Sequence, residues 1–306
     1  MKKQLFTIEN DGFCGAYFQG SHNSKKAIIA MIGDSSTDFL ATTAAKWLMQ
    51  RDCHVLTMSA DKKDYGHHNY PLERFEKAIS ILHAKGIRKI GIIGASTTGM
   101  LALVASSYYP DITLTIALSP SDFVMEGFYQ DGKDGMHERP GDNESSVSFQ
   151  GKPLPYLPYA YRHPEYWQKI QEETKGSGNF ISSINMFNES ERLHPLQEEE
   201  KIKVERIKGK IVFVGAKDDV LWDTCKYIQR MEERLRTLPH ECSWESLLYI
   251  HGTHFVFPES FLKMVLPFGE KAVLGMLFTD AKKHPNECLK TRIDIDQNLT
   301  RIIEEW

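Results

Sequence analysis

Cysteine is scarce in this sequence and is placed where it cannot pair. The five cysteines, Cys14, Cys53, Cys225, Cys242 and Cys288, are odd in number and widely scattered, with no Cys-x-x-Cys spacing. That pattern argues against both a disulfide framework and a zinc site, and it suits free thiols in a reducing cytoplasm. A long apolar run is also missing: no stretch reaches the roughly 18 residues that a membrane span requires, and the mean hydropathy is −0.39. Residues 1–10 carry two lysines but place acid and amide where a signal peptide needs an apolar segment. There is no excess of one charge, with 37 Lys and Arg against 41 Asp and Glu. The net charge of −4 therefore gives no electrostatic reason to expect nucleic acid or an anionic membrane as partner. Neither an internal repeat nor a low-complexity tract occurs. What remains is a globular composition, 41% hydrophobic and 25% charged, over 306 residues. That length suits two domains or one large α/β domain.

The apolar residues fall into short runs set between helical patterns. Residues 4–9 and 14–19 alternate in polarity around Asn10-Asp11-Gly12, which predicts a β-hairpin. Residues 27–32, 54–58, 89–94, 112–118 and 211–214 read as strands, the continuous apolar ones as strands buried on both faces. Between them helices are predicted up to about residue 50, over 72–84, over 100–108 and over 223–237. In the second, Leu72, Phe75, Ile79 and Leu82 share one face. A strand at 245–250 and a helical tail holding Ile293, Leu299, Ile302 and Ile303 close the chain. Such alternation implies a mostly parallel, twisted sheet with helices on both faces.

The alternation stops at Ser119-Pro120. Residues 121–207 are rich in Gly, Pro, Tyr and charge, and an unstructured loop of that length does not suit a compact domain. The expected organisation is a core of residues 1–120 and 208–306, interrupted by a folded cap over 121–207.

One stretch carries chemistry. Residues 92–100 put Ser96 on a sharp strand-to-helix turn among small residues, the setting of a nucleophile elbow. The usual Gly-x-Ser-x-Gly is altered here to Gly94-x-Ser96-x-Thr98, with Gly99 one place late. The same letters also fit a pyrophosphate-binding turn or a merely tight structural turn. The carboxyl-terminal half favours the elbow. Asp218-Asp219 follows the 211–214 strand, and His251-Gly-Thr-His254 follows the last one. This completes the chain order Ser, Asp, His, each in a loop that gathers at the carboxyl edge of a parallel sheet. Ser96 needs a base and an orienting acid. His254 is read as the base, and His251, nearer the strand, as structural. Thr97 N–H at the helix start is the expected oxyanion donor, and the loop with Asp34 and Ser35 is read as the source of the other, as an ordinary helix-capping cluster, or as both. The aromatics of the cap, Tyr156, Tyr159, Tyr161, Tyr166 and Trp167, either wall an apolar acyl pocket or pack the cap onto the core.

These pieces resemble the C-terminal catalytic domain shared by acyl-CoA thioesterases and bile acid-CoA:amino acid N-acyltransferases. The resemblance rests on residues 72–79, on Gly94-Ala-Ser96, on 151–158 in the insertion and on 207–215. It continues in Asp218-Asp219-Val-Leu-Trp222 and in Gly252-Thr-His254 with Pro258 beyond. It implies an α/β-hydrolase fold, with Ser96 as nucleophile, His254 as base and one of the Asp218-Asp219 pair as the orienting acid. The register set by Trp222 selects Asp219. Thr98 stands where the family has glycine. The family's amino-terminal β-sandwich is expected to be absent, because the core's first strand begins near residue 4. The function implied is a cytoplasmic serine hydrolase that cleaves a small-molecule acyl ester or thioester through an acyl-enzyme, with no metal or organic cofactor. Acyl transfer to an amine and a non-catalytic binding role are the alternatives.

Overall fold

A computed structural model describes residues 3–59, 68–127, 144–161 and 165–306. Among these, eight strands form one sheet: β1 (Lys3–Phe6), β2 (Gly15–Phe18), β3 (Lys26–Met31), β4 (His54–Met58), β5 (Lys89–Ala95), β6 (Ile112–Leu118), β7 (Lys210–Ala216) and β8 (Ser243–Tyr249). Their spatial order is 1-2-4-3-5-6-7-8. The first two pairings, β1 with β2 and β2 with β4, are antiparallel, and all the others are parallel. This is the α/β-hydrolase fold. The predicted hairpin pairs as expected, but a helical turn, Ile8–Asp11, joins its strands and ends on Gly12 at φ +80°.

The period of two in the apolar strands assigns alternate residues to two layers. Ile29, Ile92, Ile211 and Phe213 enter one core. There they meet the Glu73–Ala84, Thr97–Tyr108 and Thr224–Thr237 helices. Ile28, Ile93, Val212 and Val214 enter the other. It is closed by the Phe39–Met49, Glu259–Val265 and Pro285–Glu305 helices, the last contributing Ile295, Leu299, Ile302 and Ile303. No helix among the described residues is long and apolar enough to cross a membrane.

The chain leaves β3 for β4 on one side of it and then crosses to β5 on the other, so the loops leaving the carboxyl ends of the parallel β3 and β5 flank a crevice, the usual ligand position in an open α/β sheet. Both the Gly33–Ser36 loop and Ser96 lie there. Between β6 and β7 the insertion carries the Glu165–Ser177 and Ile184–Leu193 helices. Its Val147–Phe149 and Lys152–Pro153 strands form a small sheet with Tyr70–Pro71. Residues 128–143 and 162–164 of the insertion lie outside the described residues. The insertion is tied to the core by buried Asp122, whose carboxylate accepts from Arg230 Nε (2.7 Å) and Nη2 (2.5 Å). Arg230 Nη1 also reaches Glu191 of the insertion, at 2.5 Å.

On the other layer, Arg292 of the carboxyl-terminal helix donates through Nε to Glu259 at 2.7 Å, and both side chains are at most 5% exposed. Removing Arg292 leaves the buried Glu259 carboxylate with only the exposed Lys263 Nζ, at 3.5 Å, as a cation. Arg292→Leu is therefore expected to cost about 3–5 kcal/mol in urea unfolding, and the double change Arg292→Met with Glu259→Leu to recover most of it. A single-variant loss below about 1 kcal/mol would show that water reaches the pair and replaces it.

Candidate active site

Ser96 occupies a backbone conformation that L residues rarely adopt, φ +61° and ψ −128°. The turn closes only because its neighbours are small. A methyl group on Gly94 would meet Thr98 O at 2.1 Å, and one on Gly99 would meet Leu118 O at 2.8 Å. Thr98 replaces the expected glycine without obstruction. Its hydroxyl donates to Met31 O (2.6 Å) at the end of β3 and accepts from Ala95 N (3.0 Å). The close approach needed for helix–strand packing falls instead on Gly99. Threonine at position 98 thus adds a tether between the elbow and β3.

The structure brings Asp219 and His254 together. Asp219 Oδ2 lies 2.8 Å from His254 Nδ1 and also accepts from Thr224 Oγ1 at 2.5 Å. Its Oδ1 accepts from Leu221 N at 2.9 Å. The carboxylate is 2% exposed, with both oxygens occupied. Because a carboxylate only accepts, Nδ1 carries the imidazole proton, which leaves the Nε2 lone pair for acid–base work. His254 Nε2 is buried and has no hydrogen-bond partner.

Ser96 and His254 hang from consecutive residues at the end of β6. Ser96 N donates to Leu118 O at 2.8 Å, and Ser119 Oγ donates to His254 O at 2.9 Å. Trp222 donates through Nε1 to Ser119 O (3.2 Å) and sets its ring edge-on to the His254 imidazole, 4.7 Å between centroids. No hydrogen bond joins Ser96 Oγ to His254 Nε2. Catalytic contacts of this kind are often long until substrate is bound.

Asp218 does a different job from its neighbour. It accepts from Gly252 N (3.0 Å) and Thr253 N (2.8 Å) and so holds the backbone on which His254 sits. Burial, and the Asp280 carboxyl beside it, push Asp218 up to about 7. His251 instead donates through Nδ1 to the Asp280 carboxylate at 2.7 Å.

The oxyanion loop departs from expectation. Asp34 N and Ser35 N both donate to Asp38 Oδ2, at 2.7 and 2.9 Å. Asp38 also caps the Phe39–Met49 helix through Oδ1, which accepts from Ala41 N at 2.7 Å. In this state the two expected donors are engaged by a helix-capping carboxylate that the sequence reading overlooked. An Asp one place before Phe-Leu-Ala-Thr is the signal that marks it. Thr97 heads the helix behind Ser96, where backbone N–H groups face the turn.

A cavity of about 400 Å³ opens against this constellation. Gly33, Asp34, Ser96 and Thr97 form its polar end, and Leu40, Phe255, Phe261, Leu262, Leu274 and Leu277 are among its apolar walls. None of the insertion's aromatics among the described residues lines it. Tyr159 and Tyr166 are buried, while Tyr156, Tyr161 and Trp167 pack partly buried against the first core. Tyr166, Tyr159, Phe187, Trp222 and His254 form a continuous series of ring contacts, with successive centroids 5.4, 5.5, 5.3 and 4.7 Å apart. The insertion's rings therefore support His254, and much of the apolar wall comes from the segment after it.

Residues 70–264, more than half of the chain, match the family described as BAAT / Acyl-CoA thioester hydrolase C terminal. No curated protein matches the sequence. Among solved structures, the α/β hydrolase MGS-M1 from a Medee basin deep-sea metagenome library is similar at 14% identity and TM-score 0.53, covering 100% of this chain and 99% of that one. A Klebsiella pneumoniae protein described as a candidate dienelactone hydrolase is similar at 9% identity and TM-score 0.54, with the same coverage. The 2,6-dihydroxy-pseudo-oxynicotine hydrolase matches at 15% identity and TM-score 0.46, over 83% of this chain but only 62% of that chain.

Thr98→Val keeps the shape of the side chain and removes both hydroxyl bonds. It is expected to destabilise the protein by about 1–3 kcal/mol in urea unfolding. Gly94→Ala, which drives a methyl into Thr98 O, is expected to cost more. If Thr98→Val is as stable as the parent, the hydroxyl does not hold the turn.

Proposed function

The chain belongs to the BAAT / acyl-CoA thioester hydrolase C-terminal family, and from that membership we propose that it is a serine hydrolase acting on an acyl ester or thioester. The observation that carries this reading is the Asp219–His254 pair, proton on Nδ1 and Nε2 unengaged, with His254 held by Ser119 and Ser96 by the adjacent Leu118.

In the proposed reaction Ser96 Oγ attacks the carbonyl carbon as His254 Nε2 takes its proton. Asp219 holds the ring in the required tautomer and stabilises the imidazolium that forms. The oxyanion receives Thr97 N–H. A second donor from the Asp34–Ser35 loop requires one of those N–H groups to exchange Asp38 for the oxyanion. His254 then returns the proton to the leaving oxygen or sulfur. Water, deprotonated by the same histidine, cleaves the acyl-enzyme. If an amine takes the place of water, the protein is an acyltransferase. The acyl group would occupy the cavity walled by Phe261, Leu262, Leu274 and Leu277. Residues 1–120 and 208–306 form the core in this reading, and 121–207 the insertion that backs the base. A cytoplasmic setting accords with five cysteines of which none is in a disulfide.

Fluorophosphonate labelling tests the nucleophile. We expect labelling of the wild type, none of Ser96→Ala, and a fall in kcat of about 10⁴-fold in Asp219→Asn. A folded wild type that resists labelling would leave the binding role. A panel of acyl-CoA and p-nitrophenyl esters, with and without an amine acceptor, then separates thioesterase, esterase and transferase.

Leu274→Trp fills the apolar end of the cavity. It is expected to lower kcat/KM for long acyl chains at least tenfold while short esters and probe labelling are spared. Equal losses on all chain lengths would place the acyl group elsewhere.

A further inference from the structure

We propose that His251, Asp280 and His284 form a binding site for a divalent transition metal of the zinc class, distinct from the serine site. The donors come from separate segments: the loop after β8, the Thr279–Lys283 helix, and the residue just beyond that helix. Their ligand atoms all lie within 4.8 Å of one another. His251 Nδ1 stands 2.7 Å from Asp280 Oδ2, and His284 Nε2 stands 3.9 Å from Asp280 Oδ1. The two imidazoles face each other with centroids 4.1 Å apart and planes 23° from parallel.

A neutral imidazole offers one nitrogen lone pair to a metal ion. Two neutral histidines and a carboxylate make a three-ligand zinc set that leaves a fourth position for water. Tetrahedral zinc at its usual bond lengths needs ligand atoms about 3.3 Å apart. The His251–Asp280 contact must therefore open by about half an ångström, and the His284–Asp280 contact close by a similar amount. The stacked rings must also turn so that their in-plane lone pairs converge on one point, and side chains 27%, 27% and 42% exposed for His251, Asp280 and His284 leave room for both movements. Imidazole and carboxylate together select zinc-like ions over magnesium or calcium, which take oxygen ligands. Behind Asp280 stands Asp218, whose side chain is hydrogen-bonded to it. A partner of that kind orients a metal-binding carboxylate.

The consequence is mechanical. His251 is three residues ahead of His254, and Asp280 follows the Glu270–Leu277 helix that supplies Leu274 and Leu277 to the cavity. A bound ion would bind the loop carrying the base to the segment carrying the pocket wall. Asp280 and His284 stand four apart, one helical turn, but His251 lies 29 positions before Asp280, so the sequence does not join the three.

The test uses the full chain, stripped with EDTA and titrated with zinc chloride by calorimetry, alongside thermal unfolding and visible absorption of the cobalt(II) form. We expect one zinc per chain and a melting temperature that rises with zinc concentration. Cobalt should show the intense d–d bands of a four- or five-coordinate site. Affinity should drop at least tenfold in His284→Gln and in His251→Gln, with the fold of each verified by circular dichroism. Wild type that binds no zinc at micromolar concentrations overturns the proposal, whatever the variants do. So does zinc held equally well by both folded variants, since surface histidines elsewhere must then bind it. None of these readouts depends on Ser96 activity.

Discussion

Leu118 and Ser119, at the carboxyl end of β6, are the point on which the site depends. Leu118 O takes the Ser96 N–H, and Ser119 takes Val214 O with its N–H, His254 O with its hydroxyl and Trp222 Nε1 with its carbonyl. Elbow, base, supporting ring and the neighbouring strand β7 thus converge on two residues. The backbone there is strained in three places. Ser96, Ser119 and Thr253 all have positive φ, at +61°, +45° and +61°. Each such residue costs roughly 1–3 kcal/mol and persists only where its surroundings over-determine it. Here those surroundings are identifiable: parallel β5, β6 and β7 beneath, and the Asp218 carboxylate gripping the Gly252 and Thr253 N–H groups.

Much of this was legible in the sequence because it rests on short-range rules. Continuous apolar runs could only be strands covered on both faces, and the parallel sheet followed from their alternation with helices. Ser96 stood out because a strand ended on small residues, and the order Ser, Asp, His because each lay just beyond a strand. The choice between Asp218 and Asp219 needed the register of Trp222. The structure separates the two by partner: Asp219 to the imidazole, Asp218 to backbone N–H groups.

What was not legible depended on contacts between distant segments. Asp34 and Ser35 looked like oxyanion donors because the loop was right, but Asp38, close by, takes both N–H groups. Thr98 looked like a defect in the elbow. Its acceptor, Met31 O, lies 67 positions away on β3, so the tether that justifies threonine has no local signature. The cavity walls stayed open in the sequence for a similar reason. An aromatic-rich insertion suggests a pocket, but an aromatic side chain gains as much from burial against the core, and nothing local distinguishes the two outcomes.

The resulting division of labour follows from the two layers of the fold. Tyr159, Tyr166, Phe187 and Trp222 belong to the first core, below the face of the sheet that carries the elbow helix. Phe261 belongs to the second, and Leu262 and Leu274 to a small satellite cluster beside it. The ring series that supports His254 and the walls that would receive the acyl group therefore share few contacts. Substitutions in separate clusters tend to act independently. A change of wall size should alter which acyl chain is accepted with little effect on the base, whereas a change in the ring series should alter the base whatever the chain. The histidine loop belongs to both halves, since His254 faces Trp222 while Phe255 faces the cavity. Coupling between substrate fit and chemistry has to pass through that loop, where Asp218 and the His251–Asp280–His284 cluster also take hold.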